Sequence, residues 1–79
     1  MNEEDILKEF GNTLQKYRKE KDWSQEKLSE VAYLDRTYIS SVERGQRNIS
    51  IINICKLANA LEIPIGNLLR NVGDYHEQH

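Results

Sequence analysis

Proline occurs once in this sequence and glycine four times, and runs of β-branched residues are short. With so few breakers and strand-forming stretches, helix is the default secondary structure. Cysteine also occurs once, as Cys55. A lone cysteine excludes an internal disulfide and fits a reducing compartment, so a cytoplasmic location is expected. No apolar run approaches the roughly 20 residues of a membrane-spanning helix. The opening stretch MNEEDILKEF is acidic where an export signal would be basic. A strongly basic balance is missing too, because the formal net charge is −2. That removes the most direct pointer to nucleic acid without excluding it, since the placement of charge decides, not its total. The chain has no glycine-rich phosphate loop, no nucleophile with a histidine partner and no carboxylate pair placed for acid-base work. Glu3, Glu4, Asp5 and Glu9 read as the N-terminal charge of a helix. His76 and His79 lie in a tail without apolar pattern and make no convincing metal site. No enzyme, cofactor or metal ion is expected.

What is present suits one small domain. A chain of 79 residues can fold alone with little margin, so a partner copy can contribute to stability. Hydrophobic residues make up 38% and charged residues 30%, a balance that fits a soluble globular domain and argues against disorder. In EEDILKEFGNTLQKYRKEK, Ile6, Leu7, Phe10, Leu14 and Tyr17 recur at intervals of three and four, one apolar stripe of a first helix. Gly11 looks like a weak spot within it. Ser24 is placed to cap a second helix, with Trp23 and Leu28 spaced for a hydrophobic staple. Asp35 can cap a third helix through Arg44, ended by Gly45 in a left-handed conformation. Ser50 begins a fourth, whose residues Ile51, Ile54, Cys55, Ala58 and Leu61 predict the most buried helix, with Cys55 as a small core residue. Pro64 suits the first turn of a fifth, PIGNLLRNV. The expectation is an all-α domain of five helices.

The stretch LDRTYISSVERGQRNIS concentrates Arg36, Arg44 and Arg47 with small polar residues and no lysine. Projected at about 100° per residue, Ile39 and Val42 share one side of the third helix, with Glu43 at its margin. Arg36, Thr37, Ser40, Ser41 and Arg44 share the other. An ordinary solvated face would favour Glu, Lys and Gln, which cost less helix stability than serine. Small residues instead allow close approach to a surface. The major groove of DNA admits a helix, and the planar fork of arginine suits guanine edges and phosphates. The second and third helices together have the size of a helix-turn-helix, in which Leu28, Val31, Ala32, Leu34, Ile39 and Val42 fall at inward positions.

The stretch WSQEKLSEVAYLDRTYISSVERGQRN resembles the helix-turn-helix of the phage Cro and repressor family. Within it, LDRTYISSVERGQRN is closer still to the controller proteins of type II restriction-modification systems. The resemblance covers about residues 5 to 72. It implies a lambda-repressor-like, dimeric transcription regulator with a helix-turn-helix over about 24–45, dimerisation helices over about 50–72 and a frayed tail over 73–79. By resemblance, Arg36 and Thr37 are the principal base readers, with Tyr38 and Ser41 beside them. Gln25, Arg44, Arg47 and Asn48 take DNA backbone contacts, and Arg18 with Glu43 forms a buried ion pair. The sequence departs from the family at Tyr33, where the tight turn often has glycine. A tyrosine at positive φ is uncommon, which leaves the angle between the two helices open.

The implied partner is double-stranded DNA carrying a palindromic operator. Ile63, Ile65, Leu68, Leu69 and Val72 are more apolar surface than a short end segment can bury under itself, which predicts a homodimer through the last two helices. Two dimers on adjacent sites are compatible with such an operator. The alternative function is an antitoxin-like or adaptor protein that uses the fold for protein–protein interaction. Large apolar groups on the outer face of the third helix would favour that alternative.

Overall fold

The structure is a computed structural model and describes residues 1–73. The described residues form five helices: α1 (Glu3–Glu20), α2 (Gln25–Ala32), α3 (Arg36–Glu43), α4 (Ile51–Leu61) and α5 (Ile65–Leu69). The expectation of a frayed tail falls outside the described residues except at Gly73, whose N–H lies 3.2 Å from Sδ of Met1.

Local chemistry sets most of the helix ends. The side chains of Asn2, Ser24, Asp35 and Ser50 accept hydrogen bonds from first-turn N–H groups of α1, α2, α3 and α4. At the C-terminal ends a single device recurs. Asp22, Tyr33, Gly45 and Glu62 all adopt positive φ. The N–H of the residue after each bonds back to a carbonyl five positions earlier, as from Leu34 to Ser29 and from Gln46 to Ser41. These are Schellman ends, which satisfy carbonyls that the helix leaves open. Only one of the four uses glycine. Tyr33 takes the left-handed conformation at φ 57° and ψ 42°, so the tight turn keeps its form, and the side chain stays in solvent at 88% exposure.

Leu14, Leu28, Ile39, Leu57, Leu61 and Leu68 are wholly buried and draw on all five helices. Packing of α1 against α3 depends on Gly11. A Cβ there would lie 2.5 Å from the backbone oxygens of both Val42 and Glu43. The apparent weak spot is therefore the point where the first helix touches the end of the third.

Several expectations need correction. Cys55 is exposed, and Ile51 is 61% exposed. Spacing of three and four fits two adjacent phases of α4. The phase containing Ile54, Leu57, Ala58 and Leu61 holds the larger groups and turns to the core, which rotates Ile51, Ile52 and Cys55 outward. Val31 is likewise exposed. It lines a shallow cleft between α2 and α4 with Tyr33, Lys56 and Asn59. The fifth helix is shorter than predicted, and Pro64 stands before its first turn instead of inside it. Finally, Leu68 has no exposed surface. It fills the core of its own chain and can offer nothing to a partner.

Candidate nucleic-acid interface

The third helix starts at a carboxylate. Oδ2 of Asp35 accepts from the N–H groups of Thr37 at 2.8 Å and Tyr38 at 3.3 Å. This cap fixes the first turn and leaves the side chains of Arg36 and Thr37 projecting from it. Both residues are exposed, and neither side chain has a hydrogen bond or ion pair among the described residues. A guanidinium and a hydroxyl left without partners at the first turn of a helix are available to an external acceptor.

Further along the same face the side chains are tied down. Oγ of Ser41 donates to the carbonyl of Tyr38 at 2.8 Å, and Ser41 is half-buried. Nη1 of Arg44 donates to Oγ of Ser40, and its Nε donates to Oε1 of Gln46 at 3.1 Å. Arg44 is thus folded over its own helix while the residue stays exposed. Asn48 is exposed beside Glu3, Ile6 and Leu7 of the first helix.

The two acids of this segment explain how an acidic chain presents a basic face. Asp35 is engaged as a cap. Glu43 points inward to Arg18, whose Nε and Nη2 donate to its two carboxylate oxygens at 2.7 and 2.9 Å. The side chains of the pair are only 9% and 1% exposed. Nη1 of Arg18 also donates to the carbonyl of Trp23 at 2.7 Å, so the pair links α1, the start of α2 and the end of α3. Hydrogen bonding to Glu43 raises the pKa of Arg18, against a smaller opposing effect of burial. Because the folded value is raised, the stability contributed by this proton is complete below the ordinary arginine range. It is lost only as pH rises through the folded value, far above neutrality. With Glu43 turned inward, Arg36, Arg44 and Arg47 outnumber the one remaining carboxylate of this segment, the capping group of Asp35.

Gln25 takes a place that sequence reasoning did not foresee. Its Nε2 donates to Oε1 of Glu43 at 3.0 Å. An amide nitrogen carries two N–H groups, so the buried carboxylate orients the amide and leaves a second donor. Tyr38 is also more engaged than expected. It is half-buried, its hydroxyl accepts from Nδ2 of Asn53 at 3.0 Å, and the guanidinium carbon of Arg47 lies 5.2 Å from its ring centroid. Asn53 had no signal in the sequence beyond standing three residues after a capping serine. Its partner is 15 positions away, and only the packing of α4 beside α3 brings them together.

No three His, Cys, Asp or Glu residues gather as metal ligands among the described residues. No helix there is long and apolar enough to cross a membrane. The five residues expected to form a dimer surface differ in what they expose. Leu68 is buried, Leu69 is 37% exposed, and Ile63, Ile65 and Val72 lie half-covered against the core.

The helix-turn-helix family matches residues 14–68. Among curated relatives, the control protein C.MunI of Mycoplasma sp is 46% identical over 69 residues, covering 86% of this chain and 93% of its own. The crystal structure of the restriction-modification controller protein C.AhdI from Aeromonas hydrophila is similar with a TM-score of 0.78 at 50% identity, over 78% of this chain and 94% of that one. The controller protein C.Esp1396I, solved as a tetramer in complex with its natural 35 base-pair operator, is similar with a TM-score of 0.77 at 33% identity, over 85% and 88% of the two chains.

Proposed function

The chain belongs to the helix-turn-helix family and, within it, to the control proteins of restriction-modification systems, and from that premise we propose that it regulates transcription by binding a two-fold DNA operator as a homodimer. The observation that carries this reading is the first turn of α3. Arg36 and Thr37 stand there exposed and without side-chain partners among the described residues, on a face from which Glu43 is turned inward. Their roles follow from that position. Arg36 and Thr37 read base edges in the major groove, with Ser41 beside them and the half-buried Tyr38 supporting the edge of that face. Gln25, Arg44, Arg47 and Asn48 hold the DNA backbone on either side. The regulated genes would be its own and that of a restriction endonuclease, by kinship with the control proteins.

One helix-turn-helix reads few base pairs, and pairing two across half-sites about 34 Å apart supplies specificity. The surface for pairing is best sought on the outer face of α4. Ile51 and Ile52 are 61% and 63% exposed there, with Cys55 beside them, and Leu69 adds exposed apolar area from the end segment. Ile63, Ile65 and Val72 contribute their uncovered parts. Leu68 takes no part. C.Esp1396I assembles as a tetramer on its operator, and two dimers on adjacent sites are the corresponding arrangement for this chain.

An adaptor role would need large apolar groups on the outer face of α3. Among the described residues, the exposed large hydrophobic ones are Val31, Tyr33, Ile51, Ile52 and Leu69, and none lies on that helix. The test is a gel shift on the DNA upstream of the chain's own gene, with excess scrambled duplex as competitor. Retained binding to the upstream DNA is expected. Equal loss on both duplexes would overturn the reading.

A further inference from the structure

The loop between α3 and α4 is held firmly at its two ends and loosely between them. At its start, the N–H groups of Gly45 and Gln46 bond to the carbonyls of Val42 and Ser41 at 3.0 and 2.9 Å. At its end, Oγ of Ser50 accepts from the N–H of Asn53 at 3.1 Å. Among the described residues, Arg47 and Asn48 make no backbone hydrogen bond to another element. Ile49 is anchored by packing against the core. Among the described residues the Arg47 side chain makes no hydrogen bond or ion pair, and its guanidinium carbon lies over the Tyr38 ring, 5.2 Å from the centroid. That ring is itself held from α4 by Asn53, whose Nδ2 donates to the hydroxyl at 3.0 Å. Asn53 is half-buried, and its backbone is fixed by the helix cap.

We propose that Asn53 and Tyr38 are positioning residues for Arg47: Asn53 fixes the tyrosine ring, and the ring fixes the guanidinium at the edge of the DNA-binding face. This inference rests on the proposed function, because it concerns how that face meets DNA. The reason to need such a device is entropic. An exposed arginine on a loosely held loop must give up rotamer freedom when it binds a phosphate. A guanidinium already resting on an aromatic face has surrendered part of that freedom before DNA arrives, and its outer N–H groups stay open to an acceptor. Tyr38 then acts chiefly through Arg47, and Asn53, which carries no charge and lies behind the face, still affects affinity.

The test combines binding and spectroscopy on the intact chain. Affinity for operator and scrambled duplex is measured across a salt series for wild type, Arg47→Ala, Asn53→Ala, Tyr38→Leu and the two double variants that add Arg47→Ala. Arg47→Ala should lower the slope of log affinity against log salt by about one unit per half-site. Asn53→Ala and Tyr38→Leu should each weaken operator binding by about 2–5-fold, as expected for an exposed cation–π contact. Neither should weaken it further once Arg47 is absent. Additive losses in the double variants would overturn the proposal, since Tyr38 or Asn53 would then act on DNA directly or through the fold. A second readout needs no DNA. Ring current should shift the Arg47 side-chain protons upfield in wild type, keep them shifted in Tyr38→Phe with some loss, and release them in Tyr38→Leu. An unchanged shift in Asn53→Ala would equally sink the positioning role. If wild type itself does not separate operator from scrambled duplex, the proposed function fails first. Discrimination by wild type with additive variants condemns only this inference.

Discussion

Glu43 shows how much one buried carboxylate can organise. It accepts from Arg18 twice and from Gln25 once, so the fold and one edge of the proposed DNA face share an anchor. Removing either partner of the ion pair leaves a charge buried without compensation. Arg18→Ala and Glu43→Ala are each expected to cost on the order of 3–5 kcal/mol, and the double variant less than their sum. A thermal double-mutant cycle measures this, and near-neutral single variants would contradict it. Gln25→Ala should weaken DNA binding with little change in salt slope, because the group it loses is uncharged. At the other end of the face, Arg36→Ala should cost about 1–3 kcal/mol of operator affinity and relax preference at one base pair per half-site. Equal weakening on operator and scrambled duplex would make Arg36 a backbone contact instead. Both residues were legible in the sequence as candidates. The hydrogen bond of Gln25 to Glu43 was not, since it joins positions 18 apart.

Between elements, small distances decide. The crossing of α1 over the end of α3 leaves no room for a side chain at Gly11, where the obstructing atoms are backbone oxygens. Backbone cannot swing aside as a flexible side chain can, so Gly11→Ala should destabilise by about 1–3 kcal/mol or more, despite alanine's better helix propensity. Chemical denaturation of the variant checks this, and a gain in stability would show that the crossing can relax. Tyr33 is the opposite case. It is 88% exposed in a left-handed conformation, which disfavours a residue with a Cβ. Tyr33→Gly should leave the turn intact and change stability by no more than about 1 kcal/mol, since relief of strain is offset by the greater freedom of glycine in the unfolded chain. A large loss would mean that the ring packs against something in the assembled protein, the cleft with Val31 and Lys56 being the nearest place.

For the whole molecule, the proposed dimer surface depends on which apolar groups packing leaves uncovered. A run of apolar residues near the end of the chain pointed to Leu68 and its neighbours. Tertiary packing spends Leu68 on the core and leaves Ile51 and Ile52 uncovered on α4. Ile52→Asp is therefore expected to shift the protein to monomer in sedimentation at micromolar concentration, to abolish tight operator binding and to preserve helicity. Leu68→Asp should instead unfold the chain, because it places a charge at a position with no exposure. A monomeric but well-folded Leu68→Asp would reverse the assignment.

The sequence by itself determined the class of the fold, because caps and apolar spacing are local: Ser24, Asp35, Ser50 and Gly45 act where they stand. It also determined the chemistry of the two faces of α3, since a projection of ten residues separates Arg36 and Thr37 from Ile39 and Val42. The Arg18–Glu43 pair came from resemblance, and its geometry from the structure. What only tertiary structure decided is which of two permissible phases of α4 faces inward, why α1 carries a glycine, and that Asn53 reaches Tyr38. Each depends on groups far apart in the chain meeting within a few ångströms. Periodicity along one helix cannot report that, because it fixes which residues share a face and leaves open what that face meets.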